Sequence, residues 1–206
     1  MQQHQLIKNR GFSLVELMVA MVAGLLLVAA VSALFATIIK SNRTVMQVSR
    51  LNQELQAVTD MIARDIQRAG YDASAAAHTL VSGAASPFSF NSSSTADLAS
   101  NCIRVKYDNN ADGVLDNNET RMYSYSDSEK GVALKPGSTT TCVNLEGTLL
   151  NTKDTIEITG LRFTEISGSV STGARTIRLT ITGNDIKSPA LGLTLQRDIK
   201  LRNDGF

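Results

Sequence analysis

The amino-acid sequence predicts an α+β protein in which a long N-terminal α-helix packs on a C-terminal antiparallel β-sheet. Three observations predict this fold: an uncharged apolar run near the N-terminus, an amphipathic helical pattern directly after it, and short runs of β-type residues beyond residue 100.

The charged residues of the chain are nearly balanced, because the 206 residues include 20 Lys and Arg against 19 Asp and Glu. A net charge of +1 creates no field that would recruit nucleic acid, so no nucleic-acid partner is expected.

Residues 12–39 form the apolar run, and its last 23 residues, Leu17 to Ile39, carry no charge. At a helical rise of about 1.5 Å per residue this stretch is about 34 Å long, which is enough to cross a hydrocarbon core of about 30 Å. A secretory signal peptide cleaved near Ala33 is the alternative, but the apolar core of such a peptide is normally only about 7–15 residues long. We therefore expect residues 12–39 to form a membrane-spanning helix.

The helical pattern continues through residues 40–70. Apolar side chains recur there at spacings of three and four residues: Val48, Leu51, Leu55, Val58, Ile62 and Ile66. The first proline is Pro87, and Gly70 is a suitable C-terminal cap. The sequence thus predicts one helix from about residue 12 to residue 69, roughly 87 Å long, whose second half packs on the rest of the chain.

Residues 71–206 have a different character and predict a β-rich head. Residues 73–100 are rich in Ala, Ser and Thr and read as a loop. The clearest strand is Arg175 to Thr182, in which Ile177, Leu179 and Ile181 share one face. Its partner in the sheet is expected to be the last β-type run of the chain. The full set of expected strands is 102–107, 121–125, 155–159, 161–166, 175–182 and 193–201.

The chain contains two cysteines, Cys102 and Cys142, both in the predicted head. A disulfide between them would close a loop of about 40 residues and stabilise the head by about 4 kcal/mol in the chain-entropy model. It also indicates an oxidising compartment, and we therefore expect the N-terminus in the cytoplasm and the head in the periplasm. Two buried free thiols are the alternative.

Catalytic patterns are scarce in this sequence. Only two histidines are present, His4 and His78, which excludes an HExxH motif and a three-histidine zinc site. A Ser-His-Asp set is not expected either. We therefore expect a protein that is not an enzyme.

The predicted head contains one specific motif, residues 108–119, which fits the twelve-residue calcium-loop pattern D-x-[DN]-x-[DN]-G-x5-E. Gly113 would allow the sharp turn that this loop makes, and Asp116 would act through a water molecule. Calcium is therefore an expected structural cofactor. The expected ligands are the side chains of Asp108, Asn110, Asp112, Asp116 and Glu119 and the backbone carbonyl of Val114.

The segments on both sides of this motif alternate like strands, so we expect the loop to join a β-hairpin rather than two helices. A structural calcium ion in the weak class of roughly 10⁻⁴ to 10⁻³ M fits such a loop. A solvated Asp/Asn turn without metal is the alternative, because Asp and Asn tolerate left-handed backbone geometry.

The junction between the N-terminal tail and the apolar run has a specific pattern. It reads Lys8-Asn-Arg-Gly11-Phe12-Ser-Leu-Val-Glu16, a basic leader followed by glycine, phenylalanine and an acid. This pattern resembles the signature of type IV pilins and pseudopilins. The resemblance implies that a prepilin peptidase cleaves between Gly11 and Phe12 and so removes the cytoplasmic leader 1–11. It also implies N-methylation of Phe12 and assembly of the helix into a filament core by an inner-membrane platform.

Glu16 lies in the first turns of the apolar helix, where an acid costs up to about 2.5–3.5 kcal/mol on insertion scales. Cleavage after Gly11 creates a partner, the new amino group of Phe12. We expect Glu16 of one subunit to pair with the Phe12 amine of its neighbour and so to fix the axial register. The alternative is that Glu16 reaches the lipid headgroups.

Major pilins usually carry a proline in the first helix, and none is present here, which argues for a minor component. Two stretches resemble PilW-type minor pilins. Residues 63–71, ARDIQRAGY, are similar to the ARDIRRAGY stretch of the PilW type, and Leu201-Arg-Asn203 is similar to its ending. The resemblance implies a minor pilin that primes pilus assembly with other minor pilins and the major pilin, and that reaches the cell surface at the filament tip.

Two other functions remain open. One is a J-type minor pseudopilin of a type II secretion system, and the other is a membrane-anchored calcium-dependent adhesin. Within the PilW-like stretch, Arg64, Asp65 and Arg68 either face a neighbouring subunit or form a solvated helix face with a helical ion pair worth about 0.3–0.5 kcal/mol. We favour the solvated face.

Overall fold

The computed structural model describes residues 11–78, 85–137, 142, 147–167 and 175–203. The chain divides into two compact units, residues 1–46 and residues 47–206. The predicted leader, apart from Gly11, lies outside the described residues.

Helix α1 (Leu14–Arg68) is 55 residues long and contains no proline. In the first unit its apolar side chains are exposed, from 76% at Leu14 to 45% at Ile38. Among the described residues this is the one helix that is long and apolar enough to cross a membrane. So much exposed apolar surface requires an apolar environment, either a bilayer or the helices of neighbouring subunits.

The second half of α1 belongs to the head. Leu51, Leu55, Ile62 and Ile66 are at most 1% exposed, which confirms the predicted apolar stripe, whereas Val48 is 41% exposed. The stripe therefore begins at Leu51 and not at Val48.

The helix ends at Arg68, and the predicted cap follows at Gly70. Gly70 has a φ of +79°, and its N–H donates to the carbonyl of Lys106 at 2.9 Å.

Five strands of the head form one antiparallel sheet in the order β1-β2-β3-β4-β5. The hairpin of β2 and β3 carries the calcium-loop motif, as predicted. Strands β1, β4 and β5 were not predicted from the sequence. The strands are β1 (Leu98–Ala99), β2 (Cys102–Lys106), β3 (Thr120–Ser126), β4 (Gly131–Pro136) and β5 (Thr148–Leu149).

A second antiparallel sheet has the order β6-β7-β8, with β6 at Ile156–Ser167, β7 at Thr176–Asp185 and β8 at Gly192–Lys200. The pairing of β7 with the last strand confirms the prediction. The two strands expected at 155–159 and 161–166 are one strand, β6, because a β-bulge at Thr159 absorbs the break in the pattern.

The amphipathic half of α1 and both sheets share one apolar core. Leu51, Leu55 and Ile62 of the helix belong to the same buried cluster as Ile103 of the first sheet and Ile177 of the second. The predicted α+β architecture, a long N-terminal helix with an amphipathic half packed on antiparallel sheets, is therefore confirmed.

The disulfide between Cys102 and Cys142 is present, with Cα atoms 5.6 Å apart. Both cysteines are buried and pack against Met122 of β3. The predicted bond is therefore confirmed, and it ties β2 to the chain after β4.

Candidate functional site

The predicted processing site, Gly11 and Phe12, lies directly before α1. A Cβ added at Gly11 would meet no atom within 4 Å, and Phe12 is 87% exposed. The fold of the described residues therefore requires neither a glycine at position 11 nor an aromatic ring at position 12. Their identities suit recognition by another molecule better than packing within this chain.

Ser13 and Glu16 form a capping box at the start of α1. The Ser13 N–H donates to the Glu16 carboxylate at 3.2 Å, and the Glu16 N–H donates to the Ser13 hydroxyl at 3.2 Å. This pair satisfies two of the unpaired N–H groups at the start of the helix. Our sequence reasoning missed the role of Ser13, although S-x-x-E is a known signal for the motif. The box holds the Glu16 carboxylate in the first helical turn.

Asp108 and Glu119 begin and end the predicted calcium loop, and both are buried, at 3% and 0% exposure. The Asp108 carboxylate accepts the N–H groups of Ala111 at 2.6 Å and Gly113 at 3.0 Å. It also accepts the N–H of Ala73 at 3.2 Å. These bonds join the loop to the chain that follows α1.

The Glu119 carboxylate also accepts three backbone N–H groups, from Asn109 at 2.7 Å, Asn110 at 3.3 Å and Asp116 at 3.0 Å. Two buried carboxylates thus accept six backbone donors between them. Hydrogen bonds from its own backbone to these two carboxylates therefore stabilise the loop.

The other predicted ligands, Asn110, Asp112, Val114 and Asp116, are exposed. The described residues contain no group of three or more His, Cys, Asp or Glu side chains arranged to hold a metal ion. The backbone nevertheless makes the sharp turns of the pattern, because Ala111 and Gly113 have φ values of +63° and +75°. Calcium binding stays a prediction.

Asp65 has a structural role in the head that the sequence analysis placed wrongly. It does not lie on a solvated face in a helical ion pair but is 4% exposed, and it meets Arg121 of β3 at 3.2 Å. Its carboxylate also accepts the hydroxyl groups of Tyr123 at 2.5 Å and Tyr107 at 3.4 Å. Arg64 and Arg68, in contrast, are exposed.

Three residues of a Ser-His-Asp type do meet in the head, but in an order that differs from a catalytic triad. Asp72 accepts the Ser86 hydroxyl at 2.6 Å, and Nδ1 of His78 lies 2.7 Å from the same carboxylate oxygen. In a triad the histidine lies between the serine and the aspartate. Here Asp72 lies between the other two, so the arrangement joins His78 and Ser86 to Asp72 and is not one in which the histidine activates the serine.

Comparison with protein families defines the class. Residues 6–32 match the model of the prokaryotic N-terminal methylation motif. Together with the exposed apolar helix and the α+β head, this match makes the protein a processed type IV pilin-like protein.

A second model, prepilin peptidase-dependent protein B, matches residues 44–201. The match covers more than half of the chain, and the chain belongs to this family. A search of curated proteins and a search of solved structures each find no match. The predicted pilin-like identity is confirmed.

Proposed function

We propose that this protein is a PilW-like minor pilin that primes assembly of a type IV pilus and is incorporated at its tip. The observation that carries the proposal is the exposed apolar half of α1, which follows Gly11 and Phe12 and carries Glu16 in its first turn. Inserted in the inner membrane, this helix anchors the precursor. After cleavage by the prepilin peptidase, the same surface packs against the helices of other subunits in the filament core.

Glu16 supports the step from membrane to filament. An unpaired carboxylate in an apolar helix costs up to about 2.5–3.5 kcal/mol, so a subunit whose Glu16 finds a cation gains stability in the filament. Cleavage after Gly11 supplies that cation as the amino group of Phe12. The capping box already holds Glu16 in the first helical turn, near the residue whose amine the cleavage creates. Pairing between neighbouring subunits would then set their axial register.

Two observations favour a minor pilin of the PilW type over a major pilin. Helix α1 runs for 55 residues without a proline. In addition, the ARDIQRAGY stretch at 63–71 ends α1 with the buried Asp65 and with Gly70 in a left-handed conformation. Both residues contribute to the packing of the head, so the similarity of this stretch to the PilW type lies at positions with a structural role.

The disulfide supports a head that folds in an oxidising compartment, which for a bacterial inner-membrane protein is the periplasm. We propose that the head lies there before assembly and at the cell surface afterwards. The partners in this proposal are other minor pilins, the major pilin and the inner-membrane assembly platform.

A clean deletion in the source organism tests this function. Surface pili are counted by electron microscopy and release of type II secretion substrates is measured in the same cultures. Loss of pili with normal secretion is the expected result. Normal pili with failed secretion would replace the proposal with a J-type minor pseudopilin.

Processing is tested separately by mass spectrometry of the mature chain. The expected mature chain begins at a methylated Phe12. A mature chain that keeps residues 1–11 would contradict the proposal and favour a tethered adhesin.

A further inference from the structure

We propose that a groove lined by arginines at the C-terminal end of α1 binds an acidic segment of a partner protein. The groove is a cavity of about 570 Å³, and we call it the arginine groove. The residues that matter for binding are Arg64, Arg68, Tyr71, Tyr107, Arg202 and Asn203. They come from the last turns of α1 and from the residues that directly follow α1, β2 and β8, so the fold brings three distant parts of the head together here.

One wall of the groove is rigid. Tyr107 is 3% exposed, and the guanidinium of Arg68 lies 5.8 Å from the centroid of its ring. Arg121 lies 5.7 Å from the same centroid. The Tyr107 hydroxyl donates to the buried Asp65. These contacts hold Arg68 against a fixed aromatic surface, so little side-chain entropy remains to be lost when it binds an anion.

The groove has an excess of positive charge. A second cavity of about 190 Å³ is lined by Arg64, Arg68 and Arg121, so four arginines line the two cavities together. The acids that line them are Asp65 and Asp108, and both are buried and already accept three hydrogen bonds each.

Within the part of the chain that the structure describes, no carboxylate pairs with Arg64, Arg68 or Arg202. Arg64 donates from Nε to the backbone carbonyl of Asp60 at 3.2 Å, which leaves the rest of its guanidinium for a ligand. Three guanidinium groups therefore face one groove, and none of them has an acidic partner among the described residues.

The helix dipole does not explain this arrangement by itself. A cation in the last turn of a helix is stabilising, and Arg68 occupies that position. Arg202 comes from the other end of the chain, and Arg64 lies a full turn earlier, where the effect has fallen off. A ligand with more than one negative charge accounts for all three.

The chemistry of the groove favours a protein segment. Guanidinium groups form bidentate pairs with carboxylates, and side-chain amides both donate to and accept from a peptide backbone. Such amides line the same groove at Gln67, Asn109 and Asn203. A net charge of +1 does not recruit a long polyanion or an anionic membrane surface, whereas it permits local recognition of a few carboxylates. The inference rests on the proposed function, because a filament subunit has neighbours that can supply such a segment.

Fluorescence anisotropy on the full-length chain in detergent micelles tests the proposal. The probe is a labelled Gly/Ser peptide with four glutamates, and the matched peptide has glutamine at those four positions. We expect saturable binding of the glutamate peptide, weakened by added salt, and no binding of the glutamine peptide. The double variant R64Q/R202Q should bind at least tenfold more weakly. The control R162Q/K187Q removes the same charge from exposed positions elsewhere on the head, and it should bind within twofold of the wild type.

Several results would overturn the proposal. They are the absence of peptide binding, equal binding of both peptides, and equal loss in the control variant. Phosphatidylglycerol vesicles that bind through the groove when the peptide does not would reassign it to lipid. A dimer in sedimentation that R64Q/R202Q dissociates would replace the partner with a second copy of this chain.

The proposed function has its own readouts, which are cleavage after Gly11 and the pilus count in the deletion strain. A wild-type chain that is processed and supports piliation but binds no peptide refutes the groove alone. A deletion strain with normal pili refutes the proposed function and leaves the peptide result standing.

Discussion

The hydroxyl group of Tyr123 donates a hydrogen bond of 2.5 Å to the carboxylate of Asp65. Tyr123 is 0% exposed and Asp65 is 4% exposed, so the bond joins β3 to α1 inside the core. Burial and the neighbouring Asp65 carboxylate raise the pKa of Tyr123 far above its ordinary value, which keeps the hydroxyl protonated and able to donate. The bond therefore fixes the position of the helix on the sheet at every physiological pH.

Replacement of Asp65 by alanine should lower the free energy of unfolding of the head by about 2–4 kcal/mol, because it leaves the Tyr123 hydroxyl and Arg121 without their buried partner. Thermal unfolding of the full chain in detergent measures this. Asp60→Ala is the matched control, since Asp60 lies on the same helix but is exposed in an ion pair with Arg197. The control should cost at most about 1 kcal/mol. Equal losses in both variants would contradict a special role for Asp65.

The role of Asp65 could not be predicted from the sequence. Helical periodicity identifies the buried stripe, and the structure confirms it from Leu51 to Ile66. The pattern does not show which strand residues face that stripe, because the pairing of distant segments depends on the whole fold. From the sequence, Asp65 is therefore assigned to a solvated face. The structure shows instead that Arg121 and Tyr123 of β3 lie opposite it.

Strand β4 shows a second limit of sequence reasoning. Strand β7 shows the alternation that predicts a strand, because buried residues alternate with partly buried ones from Thr176 to Asp185. In β4 three consecutive residues, Gly131, Val132 and Ala133, are buried. Because successive side chains point to opposite faces of a sheet, both faces of β4 are covered at this end, and the strand lacks the period of two that marks a half-buried strand.

Replacement of Glu16 by glutamine should separate its two roles. Glutamine still completes a capping box but carries no charge, so helix α1 and membrane insertion should be unaffected. Incorporation into pili should fall at least tenfold if the charge pairs with the Phe12 amine of a neighbour. The measurement is the ratio of the protein in sheared pili to that in membranes.

Ser13→Ala is the matched control for this experiment. It removes the hydroxyl that caps Glu16 but leaves the carboxylate, and it should keep incorporation near the wild-type level. Normal incorporation of the glutamine variant would contradict the pairing. Failure of Ser13→Ala together with normal incorporation of the glutamine variant would assign Glu16 to helix capping instead.

Asp72 should contribute to the stability of the head above about pH 4. Burial acts to raise the pKa of Asp72, but hydrogen bonds from Ser86, His78 and the Ser74 N–H outweigh it and hold the pKa below the ordinary value of 3.8. The folded state thus binds its proton less readily than the unfolded chain. The contribution is full above the unfolded pKa and is lost as the pH falls through the lower folded pKa.

Melting temperatures between about pH 6 and pH 2 measure this effect, and Asp72→Asn should flatten the fall below about pH 4. Asp127→Asn is a suitable control. The hydrogen bond from Lys130 also lowers the pKa of Asp127, but the Asp127 side chain is 74% exposed and its pair is screened by solvent. The control should change the profile less. An unchanged profile in Asp72→Asn would show that the cluster around Asp72 does not contribute to acid stability.

Calcium should stabilise the head through the loop 108–119. With a dissociation constant of about 10⁻⁴ to 10⁻³ M, 10 mM calcium would add about 1.4–2.7 kcal/mol by mass action. To bind the ion, the Glu119 carboxylate must give up hydrogen bonds that it now accepts from backbone N–H groups, which is consistent with an affinity in this weak class.

The melting temperature of the full chain should therefore rise with calcium but not with magnesium, which needs a stricter octahedral geometry. Asp112→Ala removes an exposed predicted ligand and should abolish the shift, whereas Asp127→Ala removes an exposed acid outside the loop and should keep it. A wild-type protein with no shift at 10 mM calcium would refute the calcium prediction, and the six backbone hydrogen bonds to Asp108 and Glu119 would then be the whole reason for the acids at the two ends of the loop.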